Sequence, residues 1–311
     1  MSTRSFFKQI YRYTRSRSYR HSEKIWPYIQ IKRPEDSVMG TMSYRGQPIE
    51  VIPIDSLKEH HADDLVILAS GPSIKQLDLQ GLKHADWLAV NGAINLLSSY
   101  PNKDLKYYVV LDQGFVSDRI NIIQQVVANQ DIVVFTNLFC LHIMYQLLGK
   151  EAVQAQVVIF EDRQLPVYLP KRDSQALEAL SQNQNEHLIW DAKQEVGYSL
   201  DLNRGYVCGR TVVYMALQIA SHLGYRRVFL AGVDMTRFHE PRFYEQAETR
   251  LSTKLDLEFE QAIYPSFQLA SQVYQHLGIQ AYNLCLDSGL DDSIFPRVEL
   301  TEQLCSNSTE K

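Results

Sequence analysis

Apolar runs in this chain stop at residues small or polar enough to touch a ligand. Ser70-Gly71 follow Leu65 to Ala69, Asn91-Gly92 follow Trp87 to Val90, Asp112 follows Tyr107 to Leu111, and Asn137 closes the run that begins at Asp131. Farther on, Gly232 and Asp234 follow Val228 to Ala231, and Asn283 stands in the run Gln280 to Leu284. Glycine and serine let a bound group approach the backbone, and the N–H groups of a following helix start attract phosphate. The loop Ala69-Ser70-Gly71-Pro72-Ser73 offers both properties. Gly-Pro-Ser is also an ordinary helix-start turn, so alone it says only that something phosphorylated fits. Several polar run ends together say more, because ligands of open α/β sheets bind outside the carboxyl ends of the strands, where strand order switches. The chemistry they point to is the holding of a nucleotide or sugar nucleotide.

Other phosphate-binding patterns are absent. Neither GxxxxGK followed by Ser or Thr nor GxGxxG occurs, which excludes a Walker loop and a dinucleotide fingerprint. No Asp-x-Asp pair follows a strand to hold a diphosphate through a metal, and Asp291-Asp292 reads as an exposed turn before Ile294-Phe295-Pro296. A site without a metal motif suits a donor with one phosphate, such as a CMP-sugar, whose leaving charge protein groups neutralise alone. We therefore expect neither a metal nor a cofactor.

The elements that must position these residues alternate between apolar strands and amphipathic helices. Strands are expected at 65–69, 87–90, 107–111, 131–135, 156–160, 228–231 and 280–284, and helices around 93–97, 120–127, 211–223 and 258–277. That alternation predicts an α/β fold with a Rossmann-like, mainly parallel sheet flanked by helices. Residues 161–205 break the pattern: they are polar, carry Pro166 and Pro170, and read as a lid-like insertion. The expected organisation is a basic, aromatic N-terminal segment at 1–50, a main domain at 51–300 and a disordered tail at 301–311.

Composition sets the outer limits. A hydrophobic fraction of 45% with 22% charged residues is enough for a buried core. No run approaches the ~20 apolar residues that span a bilayer, and the start of the chain lacks the apolar core of a secretory signal. Cys140, Cys208, Cys285 and Cys305 lie far apart with no zinc spacing, as free thiols of a reducing compartment do, and three of them sit in apolar surroundings. The net charge of −5 conceals a basic start, with Arg4, Lys8, Arg12, Arg15, Arg17, Arg20 and Lys24 against the single acid Glu23. Phe6, Phe7, Ile10, Tyr11, Tyr13 and Tyr19 are interleaved with them. Basic groups attract anionic headgroups and aromatic rings settle at the bilayer interface, so an anionic membrane surface is the expected partner, with a disordered, solvated basic tail as the plain alternative and a nucleic-acid backbone as the lesser one. The acidic balance of the remainder argues against a nucleic-acid groove.

Ala69-Ser70-Gly71-Pro72-Ser73, Asn91-Gly92, Arg210 to Met215 and Leu230 to Asp234 resemble the motifs of CMP-sialic-acid-dependent bacterial sialyltransferases over residues 64–285. A closer resemblance is to the lipopolysaccharide-core Kdo transferases that add a third Kdo residue. It rests on Gly205-Tyr206, Thr211, Tyr214, Ala216 to Gln218, Gly232 to Thr236, Pro241-Arg242-Phe243-Tyr244 with the acid Glu245, and Asn283-Leu284.

The resemblance implies transfer of a CMP-activated sugar acid to lipid A or core oligosaccharide, at the inner face of the cytoplasmic membrane. It places Ser70, Gly71, Pro72 and Ser73 against the CMP, with Asn91, Gly92, Asp112, Thr211, Gly232, Thr236 and Asn283 around the donor. Arg210 and Arg242 would meet the donor's carboxylate, which a guanidinium pairs bidentately. Three positions depart from the sialyltransferase pattern: Thr236 stands where they have a tyrosine, Tyr264 lies nearest to their histidine, and Ser70 stands for the first asparagine of their phosphate loop. The first two fit the Kdo-type relatives better, and the third is a smaller change that retains hydrogen bonding. The implied reaction is displacement at the anomeric carbon by an acceptor hydroxyl, with inversion if the step is single. His239 is the natural base by its ordinary pKa and its place after Asp234, with Glu240, Asp234 and Asp112 as rivals. Tyr244 either donates to the phosphate or packs. His60-His61 and His84 read as surface groups. The alternatives are a sialyltransferase, a pterin pyrophosphokinase-like enzyme needing Mg²⁺ and ATP, and a non-catalytic sugar-binding module.

Overall fold

The computed structural model describes residues 3–34, 39–59 and 61–300. The expected disordered tail at 301–311, with Cys305, and the surface assignment of His60 fall outside them. Seven strands form one sheet: β1 Asp64–Leu68, β2 Asp86–Val90, β3 Tyr107–Val110, β4 Val133–Thr136, β5 Gln156–Ile159, β6 Arg227–Ala231 and β7 Gln280–Asn283. Their order is β7-β6-β1-β2-β3-β4-β5, with β7, β6, β1, β2 and β3 pairing in parallel. Every expected strand is present. Leu65 to Leu68 and Val228 to Ala231 are wholly buried, as a strand covered by helices on both faces requires.

The order fixes where a ligand sits. From β1 the chain moves outward through β2, β3, β4 and β5, then returns to lay β6 on the other side of β1. The β1–β6 pair is therefore the switch point, and the crevice of such a sheet opens at the carboxyl ends of those two strands.

The chain divides into two compact units. One comprises Asp55–Val109, Asp131–Val133 and Gly209–Lys311. Its central helix, Val212–Leu223, is buried almost all round and ends at Gly224, whose φ of +89° suits the left-handed cap. The helix expected over 258–277 is instead a short turn Leu255–Glu258, a π-helical turn Phe259–Ile263 and the helix Tyr264–Leu277. Pro265 accounts for the break, since it has no N–H to donate to the preceding turn.

The other unit comprises Met1–Ile54, Val110–Gln130 and Val134–Cys208. Its start is folded: a helix Thr3–Thr14, a 3₁₀ turn Arg17–Ser22, and an antiparallel sheet of Ile29–Lys32, Thr41–Tyr44 and Gln47–Pro48. Alternating polar and apolar residues such as Ile29-Gln30-Ile31-Lys32 are a weak strand signal in so short a run. Residues 161–205 are ordered as well, with a helix Ser174–Ser181 and a hairpin Leu188–Asp191 with Val196–Ser199. Leu177, Leu188 and Val207 give this segment a small core of its own, and the buried Arg163 is held by Glu186 at 2.8 Å. Among the described residues, no helix is long and apolar enough to cross a membrane.

Candidate active site

At the switch point the loops after β1 and β6 continue the sheet's pairing past the last residues of the strands. Ala69 N–H donates to the Ala231 carbonyl at 2.8 Å, and Gly71 N–H donates to the Gly232 carbonyl at 3.0 Å. Gly232 has φ +74°, a backbone state that side chains other than glycine rarely adopt. At Gly71 a Cβ would stand 1.8 Å from Asp234 Oδ2 and 2.5 Å from the Gly232 carbonyl oxygen. Only glycine lets these two loops close on each other.

Asp234 joins three loops. Its Oδ2 accepts from Ser73 N–H at 3.3 Å, its Oδ1 accepts from the Cys285 thiol at 2.9 Å, and its carbonyl accepts from Gly289 N–H at 2.7 Å. The side chain is buried, with both oxygens engaged, so Asp234 fits the shaping of the floor better than proton removal. Burial, reinforced by the Asp234 carboxylate, pushes the Cys285 thiol up to about 11. Cys285 escaped notice in the sequence because a cysteine in an apolar run reads as core. Its place two residues beyond Asn283 is the one signal that pointed to the site. Asn283 is itself fully buried, with Oδ1 accepting from Cys285 N–H at 3.1 Å.

A second segment crosses the ends of β1 and β2. Phe243 N–H donates to the Ser70 carbonyl at 3.2 Å, and the Tyr244 ring lies over Gly92, where a Cβ would meet its Cζ at 2.0 Å. Arg242 does not stand free: its backbone N–H and Nη1 bond the two oxygens of the buried Glu245 at 3.1 and 2.8 Å. Asn91 has φ 49°, and its carbonyl accepts from the Tyr108 hydroxyl at 2.8 Å. Its side-chain Oδ1 is buried and has no hydrogen-bond partner among the described residues.

The helix starts differ from expectation. Pro72 opens a five-residue 3₁₀ turn, Pro72–Gln76, and Asn91 opens another, Asn91–Ser99. The first loop therefore does not present the end of a long helix to an anion. The long helix is Val212–Leu223, capped by the Thr211 hydroxyl, which accepts from Val213 N–H at 3.4 Å. Arg210 precedes that cap with φ 62°, half-exposed, its Nε 3.6 Å from Glu258.

The remaining residues are held by other contacts. His239 is 81% exposed, with Nε2 3.9 Å from Asp256. Thr236 is exposed and donates to the Asp287 carbonyl at 3.4 Å. Asp112 belongs to the other unit, where it caps the helix Gln113–Asp118 by accepting from Gly114 N–H at 2.8 Å. Tyr264 donates to Asp291, and Asp292 pairs with Arg297 at 2.6 Å. Among the described residues, no group of three His, Cys, Asp or Glu side chains is gathered to hold a metal ion. Of the thiols, Cys140 and Cys285 are buried and Cys208 is exposed.

Residues 52–301 match the family model of the 3-deoxy-D-manno-octulosonic acid transferase WaaZ. The chain is 25% identical to a probable 3-deoxy-manno-octulosonic acid transferase of Escherichia coli over 78% of its own length and 84% of that protein. It is 24% identical to the protein of the same description from Salmonella typhimurium, over 78% of this chain and 88% of that one. Among solved structures it is similar to the monofunctional α-2,3-sialyltransferase Cst-I of Campylobacter jejuni, at 16% identity and a TM-score of 0.42 over 80% of this chain and 82% of that one. It is also similar to the sialyltransferase CstII of Campylobacter jejuni in complex with cytidine-5'-monophosphate, at 13% identity and a TM-score of 0.41 over 76% and 85% of the two chains. A parallel sheet whose switch point carries Ser70 to Ser73 against Gly232 to Asp234, together with the match over 52–301, makes this chain a glycosyltransferase of the WaaZ family of 3-deoxy-D-manno-octulosonic acid transferases.

Proposed function

We propose that the protein transfers Kdo from CMP-Kdo to the inner core of lipopolysaccharide or lipooligosaccharide, adding a third Kdo residue without a metal. The observation that carries this reading is the closed junction of the Ser70-Gly71-Pro72-Ser73 loop with Gly232 to Asp234 at the switch point. A glycine floor of that kind lets a phosphate approach the chain closely, and family membership supplies the sugar.

In the reaction an acceptor hydroxyl oxygen forms the new bond to the anomeric carbon while the bond from that carbon to the CMP phosphate oxygen breaks. CMP leaves with the electron pair, and the hydroxyl proton passes to a base. The acceptor attacks the face opposite the phosphate, so a single step inverts the anomeric centre. The Ser70 and Ser73 hydroxyls hold the phosphate where Gly71 lets it approach, with Pro72 fixing the turn, and Asn91 offers its buried Oδ1 to a donor hydroxyl or amine. Arg210, with Thr211 behind it, turns from Glu258 to the donor carboxylate. His239, with Asp256 at 3.9 Å, removes the proton, and Tyr244 covers the donor over Gly92. Arg242, Thr236 and Asn283 hold the surrounding loops. The acceptor is lipid-borne, so the protein works at the inner face of the cytoplasmic membrane as a peripheral enzyme.

The test is release of CMP from CMP-Kdo or CMP-sialic acid by purified protein, with EDTA present, on a Kdo-terminated acceptor. Release from CMP-Kdo with a gain of one Kdo in the acceptor mass supports the proposal. Turnover of CMP-sialic acid alone, or loss of all activity in EDTA, overturns the donor or the metal-free mechanism respectively. Mass spectrometry of the lipooligosaccharide from cells with and without the gene names the sugar independently.

A further inference from the structure

The N-terminal segment presents two faces of different character. Phe7 and Tyr11 point inward: their rings lie 5.9 and 5.7 Å from Trp26, and Tyr11 is 6.4 Å from Tyr168. Lys8 and Arg12 are drawn to Glu23 at 3.1 and 2.6 Å, and Glu23 is held below the usual carboxylate range mainly by the Arg12 hydrogen bond. The single acid among the first 24 residues is thereby consumed within the fold.

The opposite face is unspent. Phe6 is 53% exposed and Tyr13 is 91% exposed, and their spacing of seven residues puts them on one side of the helix Thr3–Thr14. Arg15, Arg17 and Arg20 follow, all exposed and none in an ion pair among the described residues. Arg17 and Arg20 are three apart in a 3₁₀ turn, where residues at that spacing stack directly above one another. Lys171, remote in sequence and exposed, is fixed beside them by its N–H bond to the Ser18 carbonyl at 2.8 Å. Asp173, the nearest acid along that strand of chain, is turned to its own helix, where it caps Ala176 N–H at 2.9 Å.

We infer that this face, Phe6 and Tyr13 with Arg15, Arg17, Arg20 and Lys171, docks on an anionic phospholipid bilayer, the aromatic rings at the headgroup level and the guanidinium groups on the phosphates. The structure favours a bilayer over a phosphate backbone of nucleic acid because two large exposed rings, Phe6 and Tyr13, stand outward beside the charges. It rests on the lipid-borne acceptor of the proposed function only for its purpose. The face binds a membrane whether or not the sugar is Kdo.

The test is co-sedimentation of the full chain with phosphatidylcholine vesicles, with and without phosphatidylglycerol. Binding should need the anionic lipid and weaken with salt. A basic residue at such a surface contributes about fivefold, so Arg15→Gln, Arg17→Gln and Arg20→Gln together should lower partitioning about a hundredfold. Phe6→Ala with Tyr13→Ala should lower it about tenfold while leaving the salt dependence in place. CMP release in vesicle-free solution and the melting temperature should be unchanged in both variants, which separates lost docking from lost folding and from failure of the donor assignment. Equal sedimentation of the variants and the parent, or binding to neutral vesicles as strong as to anionic ones, would overturn the inference. So would tighter binding to a single-stranded oligonucleotide than to anionic vesicles at the same salt.

Discussion

The floor of the site and the segment that carries its proposed base are built to different standards. The floor at Ala69 to Ser73 is held by two backbone bonds to Ala231 and Gly232 and by Ser73 N–H on Asp234, and its glycines are packed too closely for any side chain. The segment 236–240 has exposed side chains at Thr236, Arg237, His239 and Glu240, a 3.4 Å pair of Arg237 with Asp287 and a 3.9 Å pair of His239 with Asp256. Exposed ion pairs of this length contribute little to stability, so these side chains are held more loosely than the floor. On the proposed function, the difference means that donor binding is preorganised while the acceptor-side chemistry is completed when substrate orders that segment.

The sharpest way to break this contrast is to damage the floor. Gly71→Ala drives a Cβ into Asp234 Oδ2 and the Gly232 carbonyl, so the loop Ser70 to Ser73 must pull away from β6. We expect kcat/KM for the donor to fall about a thousandfold, since the whole loop is displaced from the donor phosphate. Titration calorimetry with CMP checks whether the loss lies in binding, and unchanged CMP affinity would remove the loop from the donor site.

Arg210→Ala comes next. Its guanidinium now lies 3.6 Å from Glu258 and is half-exposed, so its removal leaves the fold in place. Turnover should drop several-hundredfold, about the loss expected on deleting one preorganised charge partner, and Arg210→Lys should restore only part because it lacks the planar fork. Near-normal kinetics would take Arg210 out of the site. His239→Ala should reduce kcat about a hundredfold with little change in the donor KM, the signature of a group acting on the acceptor's proton. An equal rise in KM would instead place His239 on the donor.

Much of the fold was legible in the sequence because fully buried parallel strands are continuous apolar runs. Leu65 to Leu68 and Val228 to Ala231 announce themselves, and small residues mark where each ends. The strand order was not legible, since nothing in Val228 to Ala231 says that it returns to pair with β1. A residue type is legible where the backbone dictates it, as at Gly71 and Gly232. A side chain's partner is not: nothing in the sequence says that Glu245 takes up the guanidinium of Arg242, or that Trp26 and Tyr168 pack against Tyr11. A polar stretch such as 161–205 gave no warning of the small core around Leu177 and Leu188, because three apolar side chains spread over some thirty residues have no period.

The smallest effect probes what lies beneath the floor. Cys285 touches no substrate in our reading; its thiol donates to Asp234 Oδ1, and that carboxylate's other oxygen receives Ser73 N–H. Removing the thiol hydrogen bond by Cys285→Ala leaves one buried carboxylate oxygen short of a donor, while Cys285→Ser restores one. Asp234 then has a weaker hold on the phosphate loop but keeps its Ser73 bond, so the donor KM should rise about fivefold in the alanine variant, with kcat nearly constant, and recover in the serine variant. The thiol itself gives a second readout. With its pKa pushed up to about 11 it stays protonated at neutral pH, so iodoacetamide should label exposed Cys208 and spare Cys285 in the folded protein. Labelling of Cys285 should rise only as pH climbs toward that value. Rapid labelling at neutral pH would show a thiolate there, and the link from β7 through Asp234 to the phosphate loop would have to be abandoned.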